Sequence, residues 1–131
     1  MIGTLAEIAK KHMSVVEHVD RRGIAMGFPG PFDYQSGVCL MKGLEKFDSL
    51  YGINVGEYLT RSLPEVRLPL RFGPDAEMAI LGEARYGYFR RYARLIGITI
   101  GTGLGSGYVV GGSIVREGKQ FPRNGQLYCE P

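Results

Sequence analysis

The stretch Leu95-Ile-Gly-Ile-Thr-Ile-Gly-Thr-Gly-Leu-Gly-Ser-Gly107 joins an apolar, β-branched run to a cluster of glycines. The first half, Leu95–Ile100, is typical of a buried β-strand. The second half, Gly101–Gly107, allows tight turns and lets a ligand approach the backbone, because glycine has no Cβ. Phosphate-binding loops often follow a strand in this way. The sequence therefore indicates this junction as the first place to look for a functional site.

Three types of phosphate-binding loop can be compared with Gly101–Gly107. A Walker A motif is excluded because no Gly-Lys-Ser/Thr closes the cluster. The dinucleotide-binding fingerprint is excluded because the spacing is Gly-x-Gly-x-Gly and a hairpin, not a helix, is predicted to follow. The β-rich runs Tyr108–Val110 and Ser113–Val115 flank Gly111 and Gly112, which is a hairpin signal. A phosphate loop at a hairpin turn and a glycine-rich hairpin without a ligand both stay open.

The rest of the chain predicts alternating helices and strands. A mainly loop-like segment is predicted over residues 31–52, and a connector over residues 88–94. The order of these helices and strands predicts a mixed α/β protein in which one structural module ends and another begins near that connector. The predicted helices run from about Thr4 to Arg22, from Asn54 to before Pro64, and from Asp75 to Gly87, with strands at Ile24–Phe28 and Pro69–Phe72.

The 131 residues fit one ordinary soluble domain, with 44% hydrophobic and 22% charged residues. No apolar run reaches the roughly 18 residues of a membrane helix. An acid at Glu7 comes too early for a secretory signal, so a cytoplasmic location is predicted. The two cysteines, Cys39 and Cys129, give no metal-ligand spacing and no disulfide framework. No metal site is therefore predicted from these residues.

Basic and aromatic residues alternate near the predicted connector. Such a pattern can bind single-stranded nucleic acid, but a net charge of +3 is low for a dedicated binder. The sequence instead predicts a solvated helix end whose aromatic rings pack inward, and nucleic acid is not expected as a partner. The residues concerned are Arg85, Arg90, Arg91 and Arg94, with Tyr86, Tyr88, Phe89 and Tyr92.

Asp75 lies at the predicted boundary between a strand and a helix. It can be a helix N-cap, whose carboxylate accepts hydrogen bonds from open backbone N–H groups. It can also be a general base that takes the proton of a sugar hydroxyl during attack on a phosphoryl group. The position by itself leaves both interpretations open.

Four segments carry recognisable motifs in order along the chain. They are Gly-Phe-Pro-Gly-Pro-Phe-Asp at Gly27–Asp33, Asp75-Ala76 with Leu-Gly-Glu-Ala at Leu81–Ala84, the glycine motif at Ile98–Gly107, and Gly-Ser-Ile-Val-Arg-Glu-Gly at Gly112–Gly118. Together they resemble the Pro-Gly-Pro-x-Asp loop, the Asn-Asp-Ala…Leu-Gly-Glu signature, the second phosphate motif and the hairpin behind it in the ROK (repressor, ORF, kinase) family. Lys42–Gly52 is similar to a subgroup of that family near the β-glucoside kinases. The resemblance runs from about Gly23 through nearly the whole chain.

The resemblance implies a partial actin-like (ribonuclease H-like) ATPase fold of class α/β. Residues 1–90 would be the later part of the N-terminal actin-like domain, and residues 91–131 the beginning of the C-terminal one. By resemblance Asp75 is the catalytic base of an ATP- and Mg²⁺-dependent sugar kinase. The implied ATP-binding residues are Gly101, Thr102, Gly103 and Gly105, and the implied sugar-binding residues are Gly30, Asp75, Asn124, Gln126 and Cys129.

The chain departs from the family pattern at several positions. Pro74 stands where the family has asparagine, Gln126 where it has a sugar-binding glutamate, and Cys129 where it has histidine. The first phosphate motif, the adenosine-binding part and the cysteine-rich zinc motif are not found. The sequence therefore predicts a sugar kinase or a fragment of one, with a sugar as its small-molecule partner. The alternatives are a non-catalytic sugar-binding regulatory module and a truncated gene product. A homo-oligomer, or contacts with missing segments of its own chain, is expected.

Overall fold

The computed structural model describes residues 2–13, 23–64, 69–101, 103–125 and 127. The chain divides into two compact units, Met1–Phe72 and Gly73–Pro131. This division reflects packing within the chain, and the assignment of residues 1–90 and 91–131 to two actin-like domains stays a prediction. Within the described ranges, no helix is both long and apolar enough to cross a membrane.

The first unit combines two short sheets with two helices. Strand β1 pairs with β4 in one sheet, and β2 pairs with β3 in an antiparallel hairpin. Buried apolar side chains from all of these parts form one core, among them Phe28, Phe32, Cys39, Met41 and Val55. The elements are α1 (Ile2–Met13), β1 (Ile24–Phe28), β2 (Phe32–Asp33), β3 (Val38–Cys39), a 3₁₀ helix (Glu45–Leu50), α2 (Val55–Ser62) and β4 (Leu70–Pro74).

The predicted elements of this unit are confirmed except between residues 31 and 52. That segment was expected to be mainly loop, but it contains β2, β3 and the 3₁₀ helix. Strands of two residues are too short to show a periodic pattern, and packing of Phe32 and Cys39 into the core stabilises them. The first helix is confirmed over Ile2–Met13, and its predicted continuation to residue 22 lies outside the described residues.

Helix α2 begins as the sequence predicts. The Asn54 side-chain oxygen accepts the backbone N–H of Glu57 at 2.9 Å, so Asn54 is a true N-cap. The helix ends at Ser62, two residues before Pro64, where the proline ring would clash with a continuing helix.

The second unit is a three-stranded antiparallel sheet with one helix packed on it. The strand order is β5-β6-β7, and the β5–β6 register runs from Arg94 opposite Val110 to Ile100 opposite Leu104. Gly111 and Gly112 form the β6–β7 turn with φ values of 57° and 76°, which confirms the predicted hairpin. The elements are α3 (Asp75–Tyr86), β5 (Arg94–Ile100), β6 (Leu104–Val110), β7 (Ser113–Val115) and a 3₁₀ turn (Arg123–Gly125).

Helix α3 lies close to the sheet because two strand positions have no side chain. A Cβ on Gly97 would overlap the Ile80 side chain, and one on Gly107 would lie 3.1 Å from Ile80 Cδ1. Ile80 is therefore buried with Ala84 and Val109 in the core of this unit. The approach of the helix to β5 and β6 depends on these glycines.

The aromatic residues at the end of α3 and in the turn after it do not pack inward as predicted. Tyr86, Tyr88 and Tyr92 are 83%, 82% and 59% exposed. Phe89 contacts the rings of Tyr88 and Tyr92, with centroids 5.4 and 5.9 Å apart. The turn that joins α3 to β5 lies beyond the core beneath α3, so the rings of Tyr88, Phe89 and Tyr92 pack on one another at the surface.

Candidate functional site

Asp75 is the first residue of α3 and directly follows the last residue of β4. Its Oδ1 atom accepts the backbone N–H of Ala76 at 2.8 Å. The N-cap position belongs to Pro74, so the interpretation of Asp75 as the N-cap residue is wrong by one position. The carboxylate is exposed, and a negative charge in the first turn is favourable beside the positive end of the helix dipole.

The turn between β5 and β6 consists of residues 101–103. The Gly101 N–H donates a hydrogen bond to the Gly103 carbonyl at 3.0 Å, and Thr102 lies outside the described residues. A Cβ on Gly101 or Gly103 would have no heavy atom within 4 Å. A ligand can therefore approach the backbone of this turn from solvent.

Gly105 lies inside β6 and not in the turn. A Cβ at this position would lie 2.6 Å from the Cβ of Ala76 and would overlap the Thr99 side chain. The start of α3 therefore packs against β6 at a point roughly 7 Å along the strand from Gly103. Packing against Ala76 and Thr99 is enough to explain a glycine at this position, whether or not a ligand binds. The role of Gly105 in ATP binding stays a prediction.

An ion pair that the sequence analysis missed holds the first turn of α3. Glu77 is 5% exposed, and its carboxylate accepts from Arg116 Nε at 3.0 Å and from Arg116 Nη2 at 2.6 Å. This forked, charge-assisted geometry joins the start of the helix to the segment after β7. A signal exists in the sequence, because Glu77 shares the helical spacing of the buried residues Ile80 and Ala84.

Ser106 is a second residue that sequence analysis did not identify. Its buried hydroxyl donates to the Gly125 carbonyl at 3.2 Å and accepts the Leu127 N–H at 2.9 Å. These bonds fix the backbone of the C-terminal segment beside β6. Asn124 lies in the 3₁₀ turn of that segment, whereas Gln126 and Cys129 lie outside the described residues.

The loop that contains Gly30 belongs to the first unit and is tied down by Asp33. Asp33 Oδ1 accepts the backbone N–H groups of Gln35 at 3.0 Å and Ser36 at 3.1 Å. Hydrogen bonds from Ser36, and then the one from Gln35, lower the pKa of Asp33. The Tyr34 hydroxyl donates to the Phe28 carbonyl at 2.9 Å. The loop is therefore ordered by its own polar groups.

A polar cleft of about 410 Å³ lies next to this loop within the first unit. Its lining includes the polar side chains of Gln35, Ser36, Asn54, Glu57 and Thr60. Neither this cleft nor any other part of the described chain contains a group of three or more His, Cys, Asp or Glu side chains that could hold a metal ion. Cys39 is a free, buried thiol.

The fold and the site together define the class of protein. Strand β4 leads into α3, which begins with an acid and packs on a β-hairpin. This arrangement is part of the actin-like ATPase fold, as predicted. The family profile described as "ROK family" matches residues 1–121. The chain belongs to the ROK family.

The curated relatives that match are sugar kinases. The β-glucoside kinase of Listeria innocua is 32% identical over 113 residues, which cover 86% of this chain and 36% of that protein. The β-glucoside kinase of Listeria monocytogenes matches to the same extent. The chain therefore spans 36% of the length of these relatives, and the predicted likeness to β-glucoside kinases is confirmed.

Two solved structures show the same fold. The glucokinase of Parabacteroides distasonis has a TM-score of 0.61 and 29% identity, covering 88% of this chain and 35% of that one. A ROK family glucokinase from Streptomyces griseus in complex with glucose and AMPPNP has a TM-score of 0.63 and 25% identity. That match covers 95% of this chain and 36% of the Streptomyces griseus chain.

Proposed function

We propose that this chain supplies part of the active site of an ATP-dependent sugar kinase, with Asp75 as the general base. The family and its kinase relatives support this proposal. The observation that carries it is the packing of Ala76 against Gly105. That contact packs the start of α3 on β6 two residues after the turn of residues 101–103, and phosphoryl transfer needs the base and the phosphate within a few ångströms of the sugar hydroxyl.

In this proposal Asp75 does two things with its two carboxylate oxygens. Oδ1 is held by the Ala76 N–H at 2.8 Å, which limits rotation of the side chain. Oδ2 accepts the proton of the sugar hydroxyl. The hydroxyl oxygen bonds to the phosphorus that is transferred, and the bond between that phosphorus and the leaving phosphate breaks. Because Asp75 is fixed at a junction between two regular elements, it keeps its orientation towards the reacting hydroxyl.

The turn of residues 101–103 is proposed to hold the phosphates of ATP. MgATP supplies the transferred phosphoryl group when bound, and Mg²⁺ offsets the charge of the phosphates. The open space around Gly101 and Gly103 fits a group as large as a phosphate. The Gly101 N–H already donates within the turn, so the proposed donors are the Gly103 N–H and Thr102.

The proposed substrate is a sugar, with β-glucosides placed first because the matched relatives carry that name. Gly30, Asn124, Gln126 and Cys129 are its proposed contacts besides Asp75. A cytoplasmic location belongs to the same proposal.

Nucleotide binding at the turn can be tested with Gly103→Ala. Neither Gly103 nor Gly82 has a left-handed φ, and a Cβ at either position meets no atom within 4 Å. Gly82→Ala is therefore a matched control on α3. In an NMR titration of the 131-residue chain with MgATP, we expect Gly103→Ala to weaken binding at least about tenfold, because the new methyl group blocks close approach. Equal binding by both variants would contradict the proposed phosphate site.

The role of Asp75 is tested separately by turnover. We expect any ATP-dependent phosphorylation of a β-glucoside by this chain to fall at least about a hundredfold in Asp75→Asn, which removes the proton acceptor. Glu83→Gln, at an exposed acid on the same helix, is the control and should leave the rate unchanged. A rate retained in Asp75→Asn shows that this carboxylate is not the base.

A further inference from the structure

Two adjacent residues of β6, Gly105 and Ser106, face opposite sides of the sheet. A Cβ on Gly105 would lie 2.6 Å from the Cβ of Ala76, so position 105 faces α3. Because successive residues of a strand alternate between the two faces, the Ser106 side chain points away from the helix. Strand β6 therefore supports the start of α3 on one face and carries the Ser106 hydroxyl on the other.

The C-terminal segment lies on this second face of the sheet. Phe121 contacts the ring of Tyr108, with centroids 5.4 Å apart. The 3₁₀ turn Arg123–Gly125 follows, and Gly125 has a left-handed φ of 68°. A Cβ on Gly125 would lie 3.2 Å from the Val115 carbonyl oxygen. The turn is therefore packed against the end of β7.

The Ser106 hydroxyl ties this turn to the strand. Ser106 is 4% exposed, and its Oγ donates to the Gly125 carbonyl at 3.2 Å and accepts the Leu127 N–H at 2.9 Å. A hydroxyl has one proton to donate, and here it is used. The two bonds hold the chain at positions two residues apart. In the sequence Asn124 directly precedes the first position, and Gln126 lies between the two.

We propose that Ser106 is a positioning residue for the sugar, because its hydroxyl fixes the backbone of the segment with Asn124 and Gln126. This inference rests on the proposed function, in which those two residues contact the sugar. Ser106 is buried and both of its hydrogen bonds are to backbone groups. It therefore acts through the segment and not on the substrate.

A fixed segment binds a sugar more tightly than a loose one. Ordering a backbone costs conformational entropy, and a site that is ordered before the ligand arrives does not lose that free energy on binding. Without the hydroxyl, the Gly125 carbonyl and the Leu127 N–H lose a buried partner. The sugar would then have to order the segment itself, and its affinity falls.

The position of Ser106 separates this effect from the start of α3. Gly105 and Ser106 lie roughly 7 and 10 Å along the strand from Gly103. The first holds the helix that begins with Asp75, by backbone packing, and the second holds the segment, by its side chain. Removing the hydroxyl should therefore loosen the segment and leave the packing of α3 on β6 intact.

The two hydrogen bonds can be tested without any ligand, by amide hydrogen exchange in the 131-residue chain. We expect Ser106→Ala to speed exchange at Leu127 at least about tenfold, because that N–H loses its acceptor. Ser106→Cys, under reducing conditions, keeps the volume but has a weak acceptor, and it should behave like Ser106→Ala. Ser113→Ala, at an exposed serine of β7, is the control and should change nothing at Leu127. Unchanged exchange at Leu127 in Ser106→Ala would overturn the proposal.

The consequence for the sugar is measured by NMR titration with methyl β-D-glucopyranoside. We expect Ser106→Ala to raise the dissociation constant at least about fivefold, and Ser113→Ala to leave it unchanged. In a chain that carries both Asn124→Ala and Gln126→Ala, adding Ser106→Ala should have little further effect, because Ser106 acts through these residues. An equal loss in both backgrounds would show a general loosening and would overturn the positioning role.

The outcomes distinguish this inference from the proposed function. If Leu127 exchanges faster in Ser106→Ala but the sugar binds as before, positioning by Ser106 is wrong. A loss of binding in the Asn124→Ala, Gln126→Ala chain would then still support the sugar site. If the unaltered chain does not bind the sugar, the proposed sugar site is contradicted and the positioning role is overturned with it. Circular dichroism confirms that each variant is folded.

Discussion

The glycines of Leu95–Gly107 form two groups that look alike in sequence and differ in the structure. Gly97, Gly105 and Gly107 lie in strands, and a Cβ at each of them would collide with or press on a residue of α3. Gly101 and Gly103 lie in the turn, and a Cβ at either would meet nothing within 4 Å. The first group lets the helix approach the sheet, and the second leaves the turn open to a ligand.

A single glycine motif can therefore combine a packing requirement with a binding requirement. The packed glycines allow the start of α3, which carries Asp75, to pack on β6. The open glycines lie at the end of the same hairpin. Substitution experiments should therefore separate the two groups, since one group affects the free energy of unfolding and the other affects binding.

The largest loss of stability is expected for Gly97→Val. The new side chain would overlap Ile80, which is buried between the helix and the sheet. Overpacking of this kind forces a shift of backbone or rotamers, and we expect the free energy of unfolding to fall by about 3 kcal/mol. Chemical denaturation of the purified chain measures it, and an unchanged midpoint would show that α3 does not need this close approach.

Gly105→Ala should have the next largest effect. Its methyl group would lie 2.6 Å from the Cβ of Ala76, and we expect a loss of about 2 kcal/mol on unfolding. Because the contact lies beside Asp75, nucleotide binding should weaken as well. If denaturation shows no change while MgATP binding is lost, Gly105 belongs with the open, ligand-facing glycines.

Glu77→Ala tests the ion pair that holds the same helix start. The carboxylate is buried, whereas the Arg116 side chain is 57% exposed and can return to water. We therefore expect a loss of only about 1 kcal/mol in the free energy of unfolding. The expected loss should become smaller in high salt, and Glu57→Ala, at the exposed pair with Arg61, is the comparison with a smaller effect.

The smallest effect on stability is expected for Gly101→Ala. The position is exposed, its φ is not left-handed, and a Cβ has free space around it. We expect a change within about 0.5 kcal/mol, measured by the same denaturation. A large destabilisation would remove the distinction between the two groups of glycines.

The regular elements were predictable where their signals are local. Asn54 caps α2 through a contact three residues away, and Gly111 and Gly112 fix the β6–β7 turn by their own φ values. The short strands β2 and β3 were not predictable, because burial of Phe32 and Cys39 in a core assembled from distant segments stabilises them. The inward packing predicted for the tyrosines at the end of α3 and after it was also wrong, since their exposure depends on where the core ends.

The features of the candidate site also divide into those that local sequence predicts and those that depend on contacts between distant residues. The sequence by itself identified Asp75 at a strand-to-helix boundary, the glycine hairpin and the order of motifs that places the chain in the ROK family. These follow from residue types and spacings that hold wherever the segments lie. Three contacts depend on the folded chain: Ala76 packs on Gly105, Glu77 pairs with Arg116, and Ser106 holds the C-terminal segment. Such contacts join residues 19 to 39 positions apart, and no local pattern encodes the direction from which a distant side chain arrives.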